Sequence, residues 1–424
     1  MKNVSVTQLK SGMILSGDLI APNGRFILPR GACLTAKSIM SLKIWGIAEV
    51  PVAVAPGPES LGGELLFGSK VTEEAREMLL DTFCGIEPST PFMMEIFRLG
   101  VNETARGLAS GKSTTLQQAF SLELPFTSTD REEKPTLTEI VETEANLATF
   151  PDVYFRICEA LQSPKSSITH IADLISKDTS LSTTLLKIAN SGIYGVPYRI
   201  ESIPRAAALI GGRALSVLAL GISAVEVFNH IPVEWVNMKS FWRHSVGVAV
   251  LAQILASLKN AGIIEKIFVA GILHDMGRLV LFRHLPFTMA RVMKTAAERK
   301  IPLVEAEREE LGFDHAELGG CLVEKWCFPR SLSQLVKNHH NATEGINSYP
   351  AAILSTADVL ATATGLGNGG SWHVRPLPDG VERILDIAPS ALEMIVRQAT
   401  RQTTEIYSLF RGGDDIHGKT VSHA

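Results

Sequence analysis

From about Leu137 to Phe410 apolar residues recur at helical spacing, and short glycine or proline breaks separate the pattern into helices. Ile168, Ile171, Leu174 and Ile175 share one helical face, and Leu181, Leu185, Leu186 and Ala189 share another. Breaks fall at Gly192, Pro197, Pro232, Gly262, Pro302, Gly312 and Pro329. The first 52 residues follow a different rule. Met13–Leu15 and Asp18–Ile20 lead into the turn Pro22-Asn23-Gly24, Arg25–Leu28 returns, and Ile47–Val52 alternates like a strand. Thr35 is placed to cap a helix ending near Gly46. The chain therefore reads as a mainly α protein, a multi-helical bundle carrying a small N-terminal α+β domain.

Domain boundaries follow from composition. Residues 1–52 form the α+β unit and 53–136 a linker plus helical segment. Within the latter, Thr72 is expected to cap one helix and Pro91 to open another, while 51–68 and 121–137 are rich in Pro, Gly and polar residues. Residues 137–410 form the helical domain, and the polar stretch 411–424 is a tail. The most apolar long stretch, Ala206–Phe228, holds Arg213, Glu226 and several glycines, and reads as a buried core helix with a glycine turn.

Composition narrows the function classes. The 424 residues are 46% apolar, enough for a large core, and the formal net charge of −4 supplies no global attraction to nucleic acid. The five cysteines are scattered with no CxxC pair, and Met1–Gly17 has no apolar signal core, so a cytoplasmic protein with buried thiols is expected. Lys112-Ser113-Thr114 follows Gly111 without the rest of a phosphate-binding loop.

Five of the eleven histidines fall in one ordered series with two aspartates: His244, His274-Asp275, His315, His339-His340 and Asp358. Imidazole and carboxylate are the usual ligands of divalent transition ions, and their mixture suits Fe, Mn, Zn or Ni. His274-Asp275 sits in Ala270–Leu279 with apolar flanks, so its charge needs a cation or strong hydrogen bonds. On a helix these neighbours would point about 100° apart, so they grip one ion only if it lies between them, or the carboxylate spans two. Alone, His274-Asp275 and His244 read as buried hydrogen-bonded residues, His339-His340 as a surface pair after a helix, and Asp358 as a polar residue satisfied by a backbone group. Together they read as one shared site.

The stretches carrying this series resemble the HDOD domain, a branch of the HD superfamily. They are Ser180-Leu181, Leu185-Leu186, Ala189-Asn190-Ser191, Ile203 with Ala206-Ala207, Leu209-Ile210-Gly211, Phe241–Ser245, Gly271–Gly277, Gly312–Gly319, Trp326 with Pro329, and His339-His340. The first fifty residues, through Leu9, Gly12-Met13, Gly24 and Gly31, look like the small domain ahead of many HD-GYP phosphodiesterases. The resemblance implies an all-helical fold around a polar centre, bacterial signalling output, and a protein partner or nucleotide-like small ligand. It gives no expectation of a membrane or nucleic-acid partner.

It further implies roles for the series. Asp275 would bridge two ions, with His244, His274 and Asp358 on one and His315, His339 and His340 on the other, and Arg278 would face a phosphate where HD-GYP enzymes carry Lys. Asp275 and Arg278 are then the candidate catalytic residues of a metal-dependent phosphohydrolase. Against hydrolysis of cyclic dinucleotides, His340 is followed by Asn341 rather than Glu, and Ser348-Tyr349-Pro350 stands where Gly-Tyr-Pro would be. A regulatory binding domain that keeps the metal residues is the leading expectation, and a phosphohydrolase the alternative.

Overall fold

Two sequence periods produce two kinds of structure. The computed structural model describes residues 69–85, 88–111, 135–147, 150–163, 166–191, 199–228, 237–259, 261–342, 348–371 and 373–411. Within the first 52 residues it describes 2–9, 13, 16, 19–20, 26–28, 34, 39, 42 and 49–52. There the period of two gives strands β1 (Lys2–Ser5), β2 (Leu19–Ile20), β3 (Phe26–Leu28) and β4 (Glu49–Val52). β1 pairs antiparallel with β4 and β2 with β3, over a small core including Leu19, Leu34, Leu42 and Val50. The Asn23-Gly24 turn, the Thr35 cap, Lys112–Thr114, the breaks at 192, 197 and 232, most of both polar connections and the tail after 411 lie outside the described residues.

The helical period gives α1 (Ser69–Thr82), α2 (Pro91–Ala109), α3 (Leu137–Leu147), α4 (Asp152–Gln162), α5 (Ile168–Ser176), α6 (Thr179–Asn190), α7 (Ile203–Ile210) and α8 (Gly212–Phe228). There follow α9 (Met238–Ser257), α10 (Ile264–Leu273), α11 (Met276–His284), α12 (Pro286–Arg299), α13 (Leu303–Leu311), α14 (His315–Lys325), α15 (Arg330–Lys337), α16 (Ser348–Ala363), α17 (Val381–Leu385) and α18 (Leu392–Arg411). Local chemistry sets their ends. Thr90, Ser167, Asp178 and Asp314 accept from backbone N–H groups of the first turns of α2, α5, α6 and α14. Gly312 ends α13 at φ +82°, a conformation open to glycine without strain. Asn190 closes α6 by bonding Leu186 O and Ile200 O while accepting from Ile200 N.

Two local expectations are corrected. Thr72 lies inside α1 instead of capping it, because no breaker follows Gly68 and the helix runs back to Ser69. His274-Asp275 is not inside a helix: α10 ends at Leu273, α11 begins at Met276, and Asp275 takes φ −98°, ψ 5°, between the regular helical and extended regions. That break turns both side chains toward one centre.

α9 is the organising element. It is buried along nearly its whole length and packs on α10, α16 and α18. α1 and α2 contribute Leu79, Phe92 and Ile96 to the same apolar core. α7 and α8 meet at 117° about Gly211, at φ +99°, and α8 is buried through most of its length. Among the described residues no single helix is long and apolar enough to cross a membrane.

α9 and α10 approach closely because Gly271 has no side chain: a Cβ there would lie 2.5 Å from Ala249 Cα and 2.7 Å from its backbone N. Replacing Gly with Ala in a helix gains about 1 kcal/mol of propensity, but overpacking a tight core costs about 1–3 kcal/mol. Gly271→Ala is therefore expected to lower the urea midpoint, and a raised midpoint would contradict this packing.

Candidate metal centre

Five elements supply the polar centre. His244 comes from the buried face of α9, His274 and Asp275 from the α10–α11 break, His315 from the first residue of α14, His339-His340 from the turn after α15, and Asp358 from the middle of α16. The structure brings all seven residues together. His274, His315 and His339 have no exposed surface, and His244 and Asp275 have 2% each.

The first cluster is formed by His244, His274, Asp275 and Asp358. His244 Nε2 lies 3.2 Å from Asp358 Oδ1 and 3.8 Å from Asp275 Oδ2. His274 Nε2 lies 3.3 Å from Asp275 Oδ2 and 3.8 Å from Asp358 Oδ1. Ligands bonded at about 2.1 Å stand roughly 3.0–3.5 Å apart around one ion, so these atoms already span a coordination shell. The tautomer is suited as well. His274 Nδ1 sits 2.8 Å from Gly271 O and His339 Nδ1 2.7 Å from Val336 O, so each donates outward there. Each then turns Nε2 inward, where neither buried nitrogen has a hydrogen-bond partner. A buried polar atom left unpaired is costly, and a divalent ion held by Asp275 and Asp358 would satisfy that of His274. The residues fit a metal.

Charge favours the same conclusion. Burial opposes ionisation of Asp275, but the Arg278 guanidinium and His274 hold its carboxyl well below the usual range. Burial likewise opposes a proton on His274, yet Asp275 and Asp358 outweigh it and raise its pKa. A divalent ion would meet the same two carboxylates and replace that proton.

The second cluster holds His315, His339 and His340, with Asp275 Oδ1 3.2 Å from His315 Nε2 and 4.0 Å from His339 Nε2. Here Arg278 intrudes. Its guanidinium donates to Asp275 Oδ2 at 2.7 Å, to Gly369 O at 2.6 Å and toward His315 Nε2 at 2.9 Å. His340 Nε2 is 3.0 Å from the same His315 nitrogen.

Three contributors were not foreseen from sequence. Glu307 is fully buried and its carboxylate accepts from His315 N and sits on His315 Nδ1. It hides in the charged run Glu305–Glu310, but it shares a helical face with Leu303, Val304 and Ala306, a spacing that marks it as buried. Gly369 lays backbone over the site, and a Cβ there would collide with Asp275 Oδ2. Arg375 donates to His340 O at 2.6 Å and lines the cavity above Asp275 and Asp358 with Arg278 and Ser371. The cluster Gly365, Gly367, Gly369, Gly370 was the available signal for a close backbone approach. The cavity, partly open to solvent, has a volume of about 30 Å³.

Comparison with known proteins places this geometry. Residues 147–342 match the HDOD domain family model. A protein of Treponema pallidum (strain Nichols), described as uncharacterised, is 25% identical over 292 residues, 67% of this chain and 55% of that protein. The chain thus spans little more than half of that relative's length. A structure from Shewanella amazonensis SB2B, described as a candidate phosphohydrolase, is 21% identical and covers 64% of this chain and 98% of its own, with a TM-score of 0.50. That likeness establishes the helical fold. A Geobacter sulfurreducens HDOD domain protein of unknown function is 24% identical over 65% of this chain and 97% of its own, at a TM-score of 0.48. Asp358 and Gly369 lie beyond the matched segment.

Acid should expose the histidine cluster. Burial, then His274 and His315, push His339 down to about 3, and burial with His339 and His315 holds His340 well below its usual value. Both stay neutral in the fold but take protons once unfolded below about pH 6.5. Between about pH 6.5 and 5 the unfolded chain therefore binds more protons, and stability falls with pH. The raised His274 and His315 contribute fully below about pH 6.5 and add no slope there; the lowered Asp275 and Asp358 titrate below this window. Chelator-treated protein should lose about 1–3 kcal/mol across it, read from urea midpoints. A flat profile from pH 7 to 5 would contradict the neutral, buried placement of His339 and His340.

Proposed function

We propose, from the match of residues 147–342 to the HDOD domain family, that the chain is a regulatory signalling protein whose domain holds a divalent ion in a cage of four side chains. His244, His274, Asp275 and Asp358 would be its ligands. It would report through a protein partner or a nucleotide-like small ligand bound by the domain, with the N-terminal α+β unit modulating it. The observation that carries this reading is the narrowness of the cavity over the cage. A space of about 30 Å³ takes about two water molecules, whereas sites for nucleotide-sized ligands measure roughly 300–1,000 Å³.

When bound, the ion would supply Lewis acidity and lower the pKa of a coordinated water. The chain's own residues do the rest. Asp275 and Asp358 supply the negative charge that retains a cation. Gly271 O and Val336 O orient two imidazoles. Gly369 shuts out bulk water over Asp275. A metal-dependent phosphohydrolase is favoured by one observation, the pairing of this preassembled cage with two guanidinium groups, Arg278 and Arg375, on the same cavity wall. Substrate would then enter by displacement of residues 364–371.

The two readings separate in one assay. Manganese-loaded protein is incubated with nucleoside triphosphates, cyclic dinucleotides and a chromogenic phosphodiester, beside Asp275→Ala. The regulatory reading predicts that none of these probes is hydrolysed faster than by the variant. Turnover at least tenfold above Asp275→Ala would overturn it in favour of hydrolysis.

A further inference from the structure

We infer that the Arg278 guanidinium occupies the place of a second cation, so that the protein binds one divalent ion and not the two that its histidine series could serve. The inference rests on the cage reading above, and goes beyond it by removing His315 from the ligands a second ion would need.

Lone pairs come first. An imidazole nitrogen offers a single lone pair. His315 Nδ1 faces Glu307, and its Nε2 is crowded by Arg278 Nη2 at 2.9 Å, His340 Nε2 at 3.0 Å and Asp275 Oδ1 at 3.2 Å. The one nitrogen of His315 that faces Asp275 is thereby engaged, so the second cluster lacks a ligand it would need. Asp275 divides in the same way. Its Oδ2 serves both the first cage and Arg278 Nη1, while Oδ1 looks toward His315 and His339. The His339 and His274 ring centroids are 5.1 Å apart with the planes at 89°, so His339 stands beside the first cage as well as the second.

Charge is the second argument. Three carboxylates meet here, Asp275, Asp358 and Glu307. One guanidinium and one divalent ion neutralise them. A second divalent ion with Arg278 in place would leave two positive charges uncompensated in a dry interior, where such charges are strongly disfavoured.

Anchorage is the third. Arg278 is 4% exposed and held at three points by Asp275, Gly369 O and His315, and its Nε lies 3.7 Å from Glu307 Oε1. Planar, forked donors suit this arrangement, which a lysine ammonium would not reproduce. The backbone at Gly369 presses on the guanidinium from the other side: a Cβ there would lie 3.1 Å from Nη1. This side chain is built into the centre.

The test is the metal count. Chelator-treated wild type, Arg278→Ala, Arg278→Ala/His340→Ala and His244→Ala are titrated with Mn²⁺ by calorimetry, and the loaded proteins are examined by electron paramagnetic resonance. The inference predicts one ion and an uncoupled six-line signal in wild type, two ions with an exchange-coupled signal in Arg278→Ala, and a return to one when His340 is also removed. Two coupled ions in wild type, or one ion in both wild type and Arg278→Ala, would overturn it while leaving the cage intact. No ion in any of the proteins would refute the cage and this inference together. Should Arg278→Ala fail to fold, the wild-type signal alone decides, since a coupled pair there refutes the inference and a single uncoupled ion sustains it.

Discussion

A carboxylate held out of water must be neutralised, and Asp275 imposes that requirement on everything around it. It is 2% exposed at a break between two apolar helices. An isolated charge in such a place is strongly disfavoured. Arg278 answers part of the demand from one turn further along the chain, and His244 and His274 crowd the same oxygen. The remaining imbalance, with Asp358 close by, is what suits the centre to a divalent cation.

Packing delivers these groups from distant parts of the chain. α9 carries His244 into the middle of the core, and close contacts at glycines bring its neighbours near: Gly271 against Ala249, and Gly277 against the His315 carbonyl. Glu307 then fixes the start of α14 through His315 N. The HDOD segment ends at residue 342, yet Asp358 and the backbone at Gly369 complete and cover the centre. The elements after the family segment therefore belong to the site as much as the segment does.

The histidine series was legible because each member interrupts an apolar helical pattern, and a charged or polar group in such a setting announces a partner. Its convergence was read from the joint occurrence of ligand-type residues in a short window, and the family likeness then divided them between two ions. The break at His274-Asp275 was not legible: neither residue is a strong helix breaker, and tertiary contacts outweigh local propensity there. Glu307 was masked by the charged residues on either side of it. The role of Arg278 was invisible for a different reason. Its position one turn after His274 fits an outward phosphate contact as well as an inward hydrogen bond, and the carbonyl of Gly369, 91 positions away, decides between them. Strand β1 was missed because its partner β4 lies at the far end of the N-terminal unit.

The most direct examination of a one-ion centre is a crystal structure of the manganese-loaded protein with anomalous scattering recorded at a wavelength where the ion dominates. A single anomalous peak bounded by His244, His274, Asp275 and Asp358, with Arg278 still against His315, is the predicted result. Two peaks sharing Asp275, with the guanidinium displaced from His315, would contradict it.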